Sequence, residues 1–301
     1  MKNNIVSIKL NEDKVSQFID FYKENQKENK GEYIAFFAQI DDVTITLYHS
    51  KKGYKATFVG SDALNEAKIW DANAELVATK KTIKEEWLCL DNQIGSDEVG
   101  VGDFLLPMIV VAAYITKEDV KHLKSLGIHD SKKMKDETIL EIGEELLSKY
   151  HVSKMILSNK KYNEMIDKGE NLNSLKARLH NQALKNLKVK FPSTKNIFVD
   201  QFAKESTYYR YLLNKDEPLK GITFKTKGES FYPSIALASV VARYVFLIKK
   251  QALEKQYEME IPFGASKKVD EFAKEFIKKH GLEEFNKIAK KNFANYSKVF
   301  E

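Results

Sequence analysis

The chain has 301 residues and a mass of 34.7 kDa, enough for one large domain or two ordinary ones. Its 43% hydrophobic and 31% charged residues exclude a disordered chain, and its one cysteine excludes a disulfide framework or a CxxC-type zinc site. The net charge of +6 fits a polyanionic partner without demanding one, and the excess lies beyond the near-neutral first 90 residues.

Residues 1–85 read as a small α+β domain. Residues 5–10, IVSIKL, predict a strand. Asp13 to Asn29 predict a helix, with Val15, Phe18, Ile19 and Tyr22 on one apolar face. Three strands follow over 33–40, 43–50 and 54–60, broken at Asp41-Asp42 and at Lys51-Lys52-Gly53. Ser61 is the expected cap of a second helix, with Ala63, Leu64, Ala67 and Ile69 on its apolar side. This order describes a curved antiparallel sheet with helices on one face. Phe36, Phe37, Tyr48, Tyr54 and Phe58 are mostly core candidates. Those left on the open face, beside Lys51, Lys52 and Lys55, make a candidate nucleic-acid platform. The polar stretch 71–91 reads as a connector. It carries Lys80-Lys81, and its Trp87 and Cys89 are expected to serve packing.

From Gln93 the pattern changes, and 86–301 read as a second domain. Gln93 to Gly102 is a strand running into a glycine turn, and 104–115 is a long apolar strand expected to be buried on both faces. Helices are predicted over 117–125, 134–149, 173–188 and 233–257. Strands are predicted over 151–158, 196–202 and 221–229. The C-terminal third is helical and lysine-rich, with 267–268, 278–279 and 290–291 expected on a solvated face. Alternating strands and helices imply a mixed sheet with helices on both sides.

The acids sit where strands end. Asp97 and Glu98 close one apolar strand, Asp200 closes a second, and Glu229 follows a third. Any one alone is an ordinary strand-end acid at the surface. Together they would converge at one edge of the sheet, and an oxygen-only cluster suits Mg2+ or Mn2+ rather than zinc. Side chains alternate along a strand, so Asp97 and Glu98 share a site only if the strand breaks there, which Gly100 and Gly102 would allow. Gly100-Val101-Gly102 is not a dinucleotide fingerprint, since the third glycine is missing. Such a turn brings main-chain groups close to a polar ligand.

The motifs GSDEVGVGD, HDSKK, LHNQAL, VDQF, TKGES with SIALASVVARY, and PFGA stand in one order. In that order and spacing, over about residues 93–296, the chain resembles the type 2 ribonucleases H. Within that group it is similar to the ribonuclease HIII subfamily, through Glu229 as fourth acid and through the α+β extension. The resemblance implies a ribonuclease H-like mixed sheet flanked by helices, preceded by a small domain resembling the TATA-box-binding protein fold.

It also implies that Asp97, Glu98, Asp200 and Glu229 hold two divalent metals. The implied reaction is hydrolysis of the RNA strand of an RNA–DNA hybrid duplex to 3′-hydroxyl and 5′-phosphate ends. Gly100, Val101 and Gly102 match the loop whose backbone reads ribose 2′-hydroxyls, and family members often carry Ser or Thr in place of Val101. Lys132 is a candidate phosphate contact, Ser131 shapes its loop, and Lys227 beside Glu229 is a second phosphate candidate. His180 and Asn181 read as structural. Two alternatives remain: ribonuclease HII-like incision at single embedded ribonucleotides, and hybrid binding without catalysis. No apolar run reaches the roughly 20 residues of a membrane helix, and the N-terminal stretch has no signal-peptide core. A cytoplasmic monomer without membrane attachment is expected.

Overall fold

The computed structural model describes residues 4–28, 31, 33–50, 53–76, 87–213 and 216–300, apart from the Asp130 side chain. Lys51, Lys52, Lys80 and Lys81 lie outside the described residues. The chain divides into two units, Met1–Lys84 and Glu85–Glu301.

In the first unit β1 (Asn4–Leu10) is followed by α1 (Glu12–Tyr22), β2 (Ile34–Ile40), β3 (Val43–Ser50), β4 (Gly53–Gly60) and α2 (Ala63–Lys68). The strands form one antiparallel sheet in the order β1-β4-β3-β2. Alternation sorts each strand into two faces. Val6, Ile8, Phe36, Ala38, Ile45, Leu47, Ala56 and Phe58 form the core with Phe18 and Tyr22 of α1 and Ala63 and Ala67 of α2. Both helices therefore cover the same face. Phe36 and Phe58 are core residues, and Tyr54 packs partly against the core while stacking on His49 at 4.4 Å. Phe37 and Tyr48 are the aromatics of the opposite face, where Tyr48 pairs with Lys55.

Three local expectations change here. α1 stops at Tyr22 and passes through a 3-10 turn, Lys23–Asn25, instead of running to Asn29. The chain is captured by the sheet edge: Gln26 bridges to Ala38, and Lys27 N–H donates to Phe37 O at 3.0 Å. Ser61 does not cap α2. Its N–H donates to Asp42 Oδ2 at 2.7 Å, and Asp62 takes the cap position. Ile69 lies past the helix end and is exposed.

The second unit begins with β5 (Asn92–Val99), β6 (Met108–Thr116), α3 (Asp119–Ser125), α4 (Asp136–Lys149) and β7 (His151–Leu157). It continues with α5 (Asn159–Asp167), α6 (Leu172–Lys190), β8 (Asn196–Asp200), α7 (Glu205–Leu212) and β9 (Ile222–Lys225). It closes with α8 (Pro233–Tyr257), α9 (Lys267–Ile288) and α10 (Ala294–Lys298). The sheet order is β7-β6-β5-β8-β9. β5, β6 and β7 form an antiparallel meander, and β8 and β9 run parallel to β5.

β6 shows why its sequence lacks polar alternation. Ile109, Val111, Ala113 and Ile115 join the core under α8, while Val110 and Ala112 join the core under α6. The strand starts at Met108 and not at Phe104, because Pro107 has no N–H for the ladder and Phe104 N–H donates to Gly264 O at 3.0 Å. β9 is also shorter than expected. It ends at Lys225, and Lys227 takes a left-handed φ of 57°. Two helices, α5 and α7, were not legible. Ser158, expected to end a strand, is the N-cap of α5 and accepts from Lys161 N–H. No helix among the described residues is long and apolar enough to cross a membrane.

α8 lies directly on β5. A Cβ on Gly95 would strike the main chain at Ser234 and Ile235, so only glycine permits this approach. That contact sets the first turns of α8 against the end of β5, where the acids are.

Candidate active site

Parallel pairing brings the acids to one edge. Gln93 pairs with Asn196 and Ser96 with Val199, so the next step along both strands sets Asp97 beside Asp200. Asp200 pairs in turn with Lys225 at the end of β9. Glu229 follows in a 3-10 turn, Gly228–Ser230, just before α8. Asp97 and Glu229 are buried.

Each acid is held differently. Asp97 Oδ1 accepts from Glu98 N–H at 2.7 Å, and Ser239 of α8 also donates to this carboxylate. Burial and the charges of Glu98 and Asp200 push the Asp97 carboxyl up to about 8. Burial and the charges of Glu229 and Glu98 also raise Asp200, against the Gly228 N–H that donates to Asp200 Oδ1 at 2.8 Å. Glu229 pairs with Lys132, whose ammonium is raised by that bond and also feels Asp200 and Asp97. The main chain at Glu229 is braced, since the Trp87 indole donates to Glu229 O at 2.9 Å.

The strand does not break at Asp97. β5 runs on to Val99, so Asp97 faces α8 while Glu98 faces α6. There Glu98 pairs with Lys176 and accepts from His180 Nε2 at 2.8 Å, and His180 Nδ1 bonds Ser96 Oγ at 2.8 Å. Burial works against the Glu98 charge, yet His180 and Lys176 together hold it below the usual carboxylate range. In this arrangement no three acidic, histidine or cysteine side chains among the described residues are grouped to coordinate one ion. The donor chemistry nevertheless fits a hard divalent cation. The donors are all carboxylate oxygens, and the charges of Asp97, Glu98 and Asp200 repel one another.

Of the other sequence candidates, Ser131 and Lys132 line a cavity of about 320 Å3 with Glu98, Ser239 and Arg243. Lys227 is exposed on the turn before Glu229. Gly100 is buried with φ 80°, Val101 packs its side chain toward Tyr162 and Leu175, and Gly102 is exposed. Asn181 is structural, as expected: its side chain ties Glu217 O and Leu219 N–H. Cys89 is exposed and not packed.

Three residues carry more than the sequence suggested. Lys176 and His180 are the partners of Glu98. Their signal was present: with Ala183, Leu184 and Leu187 they lie at the inward spacing of α6, where a lysine is costly unless paired. Lys290 was expected on a solvated face and is instead 1% exposed. Its ammonium holds the carbonyls of Gly100 and Asp103, and burial pulls it down to about 7 against the Asp103 charge. Nothing in its lysine-rich surroundings marked it.

Residues 94–296 match the Ribonuclease HII family, and residues 4–83 match a domain of unknown function, DUF3378. Ribonuclease HIII of Bacillus cereus is 38% identical over 311 residues, covering 100% of this chain and 99% of its own. Ribonuclease HIII of Bacillus mycoides is 40% identical over 276 residues, covering 88% of each. Bst-RNase HIII, solved as a complex with Mn2+, superposes with a TM-score of 0.69 at 30% identity and covers 98% of both chains. The fold and family match define a ribonuclease H of the type 2 class, and the chain belongs to the ribonuclease HIII family.

Proposed function

We propose that this chain is an endonuclease that hydrolyses the RNA strand of RNA–DNA hybrids, using Mg2+ or Mn2+ held by Asp97, Glu98, Asp200 and Glu229. The observation that carries the reading is the mutually repelling set of carboxylates at the ends of the parallel strands β5 and β8, with Asp97 buried and Glu98 and Asp200 half-buried. When bound, a pair of such ions supplies an activated water and neutralises the leaving oxygen of an in-line displacement at phosphorus, leaving 3′-hydroxyl and 5′-phosphate ends. Glu98 joins the set by releasing Lys176 or His180. Lys132, released from Glu229, is free to meet a phosphate oxygen, and Lys227 is a second contact of that kind. Gly100, Val101 and Gly102 present main-chain groups to the 2′-hydroxyl, with Ser131 shaping the facing loop. The protein acts as a cytoplasmic monomer in this reading. The test is cleavage of a uniform hybrid with and without each metal, beside double-stranded RNA and DNA. Cleavage that persists in EDTA sinks the reading.

Glu229→Gln keeps the size of the side chain and its braced main chain but removes the charge. Half-maximal cleavage is expected to need roughly 10-fold more Mg2+. An unchanged metal titration would argue that Glu229 is no ligand.

Residues 1–85 form a substrate-binding domain in this reading, with 86–301 the catalytic domain. Phe37 and Tyr48, on the sheet face opposite α1 and α2, offer stacking surfaces. Deleting 1–85 is expected to raise KM with kcat nearly intact at saturating hybrid, since all four proposed ligand acids lie in the second unit, whose described cores are built from its own residues. A folded truncation with lost kcat and unchanged KM contradicts this role.

A further inference from the structure

Lys290 follows α9, and its ammonium donates to Gly100 O at 2.6 Å and to Asp103 O at 2.7 Å. Its own N–H donates to Phe104 O at 3.0 Å. The segment that carries it is pinned from α5. Asn163 Nδ2 donates to Ala289 O at 2.9 Å, and Asn163 Oδ1 accepts from Lys291 N–H at 2.9 Å. The rings of Tyr162 and Phe293 each lie 5.5 Å from the ammonium.

The two carbonyls it holds bracket Val101 and Gly102. A trans peptide sets C=O and N–H on opposite sides, and the described chain has no cis bond. Turning Gly100 O onto Lys290 therefore turns the Val101 N–H away from it. The same geometry at Asp103 turns Phe104 N–H away, and that group is taken by Gly264 O at 3.0 Å. The N–H groups of Val101 and Gly102 donate to no main-chain carbonyl among the described residues, and Gly102 is exposed. The ammonium thus stands behind the turn, and the unused donors lie between its two anchor points.

We infer that Lys290 is a positioning residue for RNA recognition: it fixes the Gly100–Asp103 turn so that the Val101 and Gly102 main-chain groups meet a ribose 2′-hydroxyl. This deepens, and rests on, the hybrid reading above. Lys290 touches neither the acids nor the sugar in this role.

The test is a ratio of affinities, measured in EDTA so that no chemistry intervenes. Wild type and Lys290→Met are each titrated with a hybrid and with a DNA duplex of the same sequence. Lys290→Met keeps the length of the side chain and removes its donors. Its preference for hybrid over DNA is expected to fall by roughly 10-fold, the scale of one lost neutral hydrogen bond between the main chain and a 2′-hydroxyl. A lysine that served stability alone would lower the active fraction for both duplexes equally and leave the ratio unchanged. So a wild-type ratio preserved in Lys290→Met overturns the inference alone. A wild-type protein with no preference sinks the hybrid reading and this inference with it. If Lys290→Met does not fold by circular dichroism, Lys290→Gln takes its place and is read by the same two criteria.

Discussion

Asp97→Asn is expected to lose at least ~10²-fold in hybrid cleavage while the metal-free protein becomes more stable. The two effects share one cause. Asp97 is buried against α8, close enough to Glu98 and Asp200 for their charges to oppose its own. Its carboxyl is raised from the ordinary aspartate range to about 8. The sign follows by linkage. Between about pH 4 and pH 8 the folded state holds a proton that the unfolded state has lost, so stability falls as pH rises through that window. Asparagine has no charge to desolvate, and its carbonyl can still accept from Glu98 N–H. The penalty removed at pH 7 is on the order of a few kcal/mol. On the proposed function the same substitution takes charge from a metal ligand, which accounts for the expected loss of cleavage. Thermal unfolding in EDTA across that pH window, beside hybrid cleavage in Mg2+ and Mn2+, checks both halves. Near-normal turnover would remove Asp97 from the site. An unchanged stability profile would mean that the carboxyl is not repelled as described. Glu98→Gln and Asp200→Asn are expected to lose activity similarly. Asp200→Asn can also keep its bond from Gly228 N–H, so it should stay folded.

Gly100→Val and Gly102→Val are expected to fail for different reasons. The sequence treats the two glycines alike, as flexible points in one turn. The structure separates them. Gly100 is buried at φ 80°, and a Cβ there would meet the Pro107 carbonyl oxygen and lie 2.8 Å from Phe246 Cε2. Neither neighbour is free to move: one is main chain, the other a core ring. A β-branched residue in the left-handed region adds its own strain. Together these should cost roughly 3 kcal/mol or more and lower Tm by about 6–12 °C. At Gly102 nothing lies within 4 Å of a Cβ and φ is not left-handed, so Gly102→Val should unfold like wild type. On the proposed function its activity should still fall, because the branched side chain would stand where the ribose is read. Val101→Thr should be close to wild type in both assays, since that side chain packs toward Tyr162 and the proposed reader is the main chain. Thermal melts and hybrid cleavage on the three variants decide this. Full activity in Gly102→Val would leave RNA selectivity to side chains elsewhere.

Much of the fold was readable because its physics is local. The apolar run of β6, the register of α8 and the alternation in β2, β3 and β4 are one-dimensional patterns, and each matched an element. The acids were readable as candidates because a carboxylate at the end of a buried strand is unusual wherever the strand is placed. Short elements were not readable. α5 and α7 have 9 and 8 residues, too few for periodicity to outweigh their polar composition.

What only the tertiary structure decided was direction and partnership. The β5–β8 register put Asp97 beside Asp200, and the unbroken pleat of β5 sent Glu98 to the opposite face. Lys176 and His180 acquired their role from that turn of Glu98 toward α6. Lys290, 190 positions from Gly100, became a buried anchor through a contact that no local pattern encodes. The sequence by itself determined which chemistry the chain carries, because residue type and strand ends are written along it. The tertiary structure decided which cation neutralises which acid and which glycine must remain glycine, because those depend on distances between segments far apart in the chain.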